Sequence, residues 1–151
     1  MKTDITINIT DEKVRGLLAV AFEGGVGYWC CIEDYDYGQH SKSDFMNGGK
    51  FCRIDGANDK FDWPRHTTVP LIPGCKVLLS DAESNVFPSD AESNNFPCVK
   101  WELTREKIEQ GLNLMLEKAP KHFADFFSGN DDVITGDIFL QMCLFGEVKF
   151  G

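Results

Sequence analysis

The residues best suited to chemistry are arranged for binding rather than bond-making. In "EGGVGYWC", residues 23–30, Gly25 and Gly27 lead up to and precede Tyr28 and Trp29. Glycine lets a backbone approach a ligand closely, and a ring face can stack on a base for about 1–3 kcal/mol. The stretch "GKFCRIDGANDKFDWPRHTTVP", residues 49–70, adds Arg53, Trp63, Arg65 and His66. A guanidinium there could hold phosphate in a fork of hydrogen bonds. These residues form the expected ligand-binding set, with a small anionic, nucleotide-derived molecule as its match. Core packing is the competing reading for the aromatics, strongest for Trp29 and Trp101; Trp63, between Asp62 and a Pro-Arg-His turn, is the least core-like.

The motifs of catalysis are missing. His40, His66 and His122 lie in separate segments, and no nucleophile elbow, zinc-protease or phosphate-loop pattern occurs. Glu33, Asp34 and Asp36 are near enough in sequence to share a cation, but their spacing matches no metal loop and suits a solvated turn. The six cysteines, at 30, 31, 52, 75, 98 and 143, contain no C-x-x-C pair, so buried reduced thiols are expected, with no metal and no cofactor. No residue is assigned a catalytic role. A small enzyme stays the least favoured reading.

Charge narrows the partners. The net charge of −9 opposes general nucleic-acid binding, which needs a basic surface. Residues 49–79 alone carry a positive balance, +2, against negative balances on both sides. The pattern suits an anion-binding lip on an acidic body, or an acidic protein that docks on a basic partner. No apolar run reaches bilayer length, and "MKTDITINIT" has no signal-peptide core, so a cytoplasmic protein without membrane partners is expected; the sequence also leaves room for a homo-oligomer.

The elements that must position these residues follow from periodicity. "TDITINI" alternates as a strand would, and the spacing of Val14, Leu17, Leu18, Ala21 and Phe22 then predicts a helix capped by Thr10 or Asp11 and stopped by Gly24 or Gly25 in a left-handed conformation. "YWCCIE", "PGCKVLLS" and "CVKWELT" read as strands. The last two are joined by a surface loop at 80–97 in which "SDAESNVFP" is followed directly by "SDAESNNFP". Thr104 caps a helix closed by Pro120, "KHFADFFSG" is a helical turn, and "DDVITGDIFLQMCLFG" is apolar almost all round, so a buried helix in which Asp137 and Gln141 need partners. "EVKF" is expected to return to the sheet. The fold class is α+β over a single 1–151 domain, an antiparallel or mixed sheet packed against an N-terminal helix and C-terminal helices.

The succession of "AFEGGVGYW", "LTREKIEQGLNLM" and "TGDIFLQMCLFGEVKFG" resembles a group of small bacteriophage and prophage proteins of unassigned function. These carry Gly-Gly then Tyr-Trp after a first helix, a Leu-Thr-x-x-Lys helix start and a Leu-Phe-Gly-Glu ending. The likeness covers both ends of the chain and leaves the middle unmatched. It brings no catalytic residues. It implies a phage setting in the host cytoplasm and a counter-defence role: sequestering an immune signal, or inhibiting a host defence protein by docking on it.

Overall fold

The computed structural model describes residues 1–2, 6–41, 46–47, 50–51, 63–82 and 99–151. It is α+β. Helix α1 (Asp11–Val20) begins where the Thr10 hydroxyl accepts the Lys13 N–H at 3.3 Å, satisfying one of the unpaired donors of the first turn. Of the two expected caps, Thr10 is the one used. Its end departs from expectation. The chain runs on through a π-helical turn, Ala21–Gly25, closed by the Val26 N–H on the Ala21 carbonyl, and neither Gly24 nor Gly25 has a positive φ. Their lack of a side chain serves close packing instead, as shown below.

Strand β1 (Cys30–Asp36) follows. Short strands β2 (Met46–Asn47) and β3 (Lys50–Phe51) pair antiparallel, and helix α2 (Arg65–Thr68) leads through a 3₁₀ turn to β4 (Lys76–Asp81) and β5 (Trp101–Leu103). The main sheet is antiparallel in the order β1-β4-β5, with Cys30 opposite Asp81 and Val77 opposite Leu103. A bulge at Glu33 shifts the register, and the Glu33 carboxylate accepts the Ser80 hydroxyl across the strands. The strands expected around the duplication are present as β4 and β5; the duplicated segment beyond Ala82, like Arg53, lies outside the described residues.

Helices α3 (Arg105–Lys118), α4 (Pro120–Ser128) and α5 (Val133–Phe145) complete the chain. Thr104 caps α3 through the Lys107 N–H at 3.3 Å, Pro120 starts α4 where its missing N–H costs nothing, and Gly129 and Gly146 end α4 and α5 in the left-handed region. Leu17, Leu18, Leu79, Leu103, Phe139 and Leu140 are fully buried in one core to which α1, α5 and the sheet all contribute. Each such side chain contributes about 1.5–3 kcal/mol of burial. Of the strand expected over residues 3–9, residues 3–5 lie outside the described residues and 6–9 are unpaired with the sheet; the expected "EVKF" strand, residues 147–150, is also unpaired with it. No helix among the described residues is long and apolar enough to cross a membrane.

Candidate functional site

The opening stretch meets α5, and glycine decides how closely. A Cβ on Gly25 would lie 2.5 Å from the Val133 carbonyl oxygen, and one on Gly136 would lie 2.7 Å from the Ala21 nitrogen. The π-helical turn and α5 therefore touch backbone to backbone. Gly25, expected beside a ligand, is filled by protein; Gly27 faces open space.

That contact places Asp137, on α5, under Tyr28 and Trp29. Its carboxylate accepts the Tyr28 hydroxyl at 2.7 Å, the Trp29 indole N–H at 2.8 Å and the Gln141 amide at 3.0 Å. One turn later Gln141, fully buried, accepts the Lys149 and Phe150 N–H groups at 2.7 and 2.8 Å and donates to the Phe150 carbonyl at 3.0 Å. With two donors and two acceptor sites, a primary amide can do no more. Here is the reason residues 147–150 do not join the sheet: a side chain supplies the pairing a neighbouring strand would have supplied.

Trp29 is consequently part of the core. Phe150 stacks on it at 4.8 Å and 7°, while Trp101 and Phe145 meet it at 5.9 and 5.6 Å. No ring face is left for a base, which corrects the expectation of a pocket wall there. Tyr28 keeps its ring in solvent, 55% exposed. Its phenol is pushed up to about 12, first by loss of hydration and then by the hydrogen bond and charge of Asp137.

The expected basic lip is only partly assembled. Half-buried Trp63 precedes α2; Arg65 lies 6.0 Å from the centre of the Tyr35 ring, which stacks on Tyr37. Burial raises the Tyr35 phenol, and the Arg65 charge opposes the rise. His66 packs edge-on against Phe22 and sits 3.3 Å from the Glu23 carboxylate. Its pKa is lowered by burial, against the pull of Glu23. Tyr28 and Trp29 turn to α5 while His66 packs on Phe22 and Glu23, so the described members of the expected set fall into two groups rather than one.

The remaining candidates are committed to structure. Asp34 accepts the Tyr35 N–H, Asp36 accepts the Gly38 N–H, and no group of His, Cys, Asp and Glu among the described residues could hold a metal. Cys30, Cys75 and Cys143 are buried, and the Cys30 thiol is pushed up to about 12, chiefly by burial. A cavity of about 320 Å³ opens between residues 7–9, α1 and α3, but the Arg105 on its wall is forked to Asp11 at 3.2 Å and bonded to Glu109 at 3.1 Å and the Leu71 carbonyl at 2.7 Å. The hydrogen bond to Asp11 is the main reason its pKa is raised. Such a guanidinium has little left for a phosphate.

A surface not singled out by the sequence lies where α4 ends and α5 begins. Phe127, Val133 and Ile134 are 45%, 48% and 58% exposed, around the turn that carries Asp131 and Asp132. The Lys13 ammonium donates to the Phe127 carbonyl at 2.7 Å and lies 4.6 Å over its ring, which brings α1 alongside. Val133 in turn abuts Gly24, where a Cβ would fall 2.6 Å from it. Asp132 caps α5 through the Thr135 N–H at 2.9 Å, and that bond lowers its pKa.

Fold and surface define an α+β protein with a fully satisfied buried polar hub and an acidic, partly apolar end. No family model, curated protein or solved structure matches the chain.

Proposed function

We propose that the protein is a non-enzymatic, acidic docking protein that covers a basic surface of another protein, and that in the phage setting implied by its resemblance this partner belongs to host defence. One observation carries the reading: the exposed Phe127, Val133 and Ile134 surround carboxylates at an end of the molecule where Lys13 is already engaged. Apolar anchors beside carboxylates suit a partner that presents arginine or lysine next to an apolar pocket. The anchors supply affinity, and the carboxylates supply approach rate and orientation. Asp131, in the turn between Phe127 and Val133, forms no ion pair among the described residues. Replacing Phe127 and Ile134 with Ser should abolish a salt-sensitive complex in pull-down while leaving the circular-dichroism spectrum unchanged. A complex that survives both substitutions would rule out this face.

A second reading is sequestration of a small anionic, nucleotide-derived signal. It is favoured by the position of Arg65 over Tyr35, with Trp63 two positions before it in the one stretch of sequence whose charge balance is positive. Calorimetry against cyclic and linear nucleotides, with Trp63→Ala and Arg65→Ala as controls, tests it. Binding that both substitutions weaken would move the function to this lip.

A further inference from the structure

The contact of residues 147–150 with Gln141 and Trp29 has the form of a ligand in a site. Every hydrogen bond to Gln141 from this segment comes from main chain: the N–H groups of Lys149 and Phe150 and the carbonyl of Phe150. Extended peptides are commonly recognised by main-chain hydrogen bonds together with a pocket for a side chain; here a side-chain amide on a helix supplies the main-chain bonds. Here the pocket is aromatic. Phe150 lies flat on Trp29 and tilted 5.9 Å from Phe145, and the Lys149 ammonium sits 5.0 Å over Phe145.

The receiving side is anchored in part from outside the segment it holds. The Gln141 amide donates to Asp137, and Asp137 is itself held by Tyr28 and Trp29, so the nitrogen end of the amide is fixed by groups other than residues 147–150. Trp101 and Phe145 brace Trp29 from its other sides. The segment, by contrast, is lightly held. Glu147, Val148 and Lys149 are exposed, and Glu147 and Lys149 pair with each other at 3.9 Å. It hangs from Gly146, in the left-handed conformation with its carbonyl bonded to Lys118. Its hydrogen bonds to the Gln141 side chain and the contacts of Phe150 with Trp29 and Phe145 lie outside the backbone ladder of α5, so release of the segment breaks no main-chain bond of that helix.

We infer that Gln141, Trp29 and Phe145 form a peptide-binding clamp, occupied in cis by residues 147–150, which accepts in trans an extended segment of another polypeptide bearing an aromatic residue. The preceding residue would supply the second N–H. The clamp is separate from the acidic face at Phe127 and Ile134.

A fluorescent peptide of residues 146–151, Gly-Glu-Val-Lys-Phe-Gly, titrated by anisotropy into the full chain and into its Phe150→Ala variant, tests the clamp. Because the resident segment competes, the variant should bind roughly tenfold or more tightly than the native chain, and a peptide with Ala in place of Phe should bind neither. Folded Phe150→Ala that takes up no peptide, or that takes up both peptides equally, overturns the proposal. Should that variant not fold, hydrogen exchange of the native chain decides. The Lys149 and Phe150 amides should exchange through local opening, well before those of Leu140 and Gln141. Exchange of all four together would make the segment a permanent part of the core and end the proposal.

Discussion

At the scale of single residues, Asp137 is the centre of the molecule's polar economy. Removing its carboxylate strands the Trp29 indole N–H and one donor of Gln141, both in the interior. Each stranded group costs about 1–3 kcal/mol, so Asp137→Ala should destabilise by several kcal/mol in urea titration, against a smaller loss for Asp137→Asn. In the Asn variant, if folded, the Tyr28 phenol should titrate below its native value of about 12, because the charge that opposes its ionisation is gone. That Asp137 and Gln141 needed partners was legible from an apolar helix with two polar side chains. Which partners was not, since Tyr28 and Trp29 are more than a hundred positions away along the chain. His66 gives a separate test by pH. Its folded pKa lies below the ordinary 6.5, so the unfolded chain takes up the proton first. Its contribution to stability is complete above 6.5 and is lost as pH falls through the depressed folded value. His66→Gln should remove that slope from the pH dependence of the urea midpoint.

At the scale of elements, the glycines separate local from tertiary causes. Gly146, in the left-handed conformation, ends its helix as a reading of the sequence expects, and Thr104 caps α3 for local reasons as well. Thr104→Ala should cost about 1 kcal/mol by thermal or urea melting. Gly24 and Gly25 look like the same kind of stop, yet no positive φ occurs at either. Their cause is α5, which no pattern within the first thirty residues announces. The consequence is a ranking. Gly136→Ala drives a methyl into the Ala21 backbone, and Gly111→Ala drives one to 2.8 Å from the Cys143 Cα; backbone cannot turn aside. Both should lose about 1–3 kcal/mol or more, as overpacked cores do. Gly24→Ala meets only the Val133 side chain, on the surface, and should be the mildest of the three in the same melts. The expected "EVKF" strand failed for a related reason: its alternation was real, but the buried Gln141 captured its backbone first.

At the scale of the whole molecule, the sequence made the α+β class plain, because strand and helix periods are sharply different and the caps fall between them. The ligand site was less legible. A tryptophan beside glycines looks the same whether it lines a pocket or a core, and only the approach of Phe150 and Trp101 distinguishes the two. The acidic, apolar end was hidden by the opposite ambiguity: α5 is apolar nearly all round, so nothing local separates exposed Val133 and Ile134 from buried Phe139 and Leu140. The activity proposed for this end is docking on a basic protein. Native mass spectrometry of the native chain and the Phe127→Ser, Ile134→Ser variant, each recovered from cells that express the partner repertoire, tests it most directly. The expected result is a defined complex with a protein rich in Lys and Arg, seen for the native chain at low salt, weakened as salt shortens the reach of the carboxylates, and lost in the variant. A small-molecule mass retained equally by both chains, with no bound protein, would contradict it.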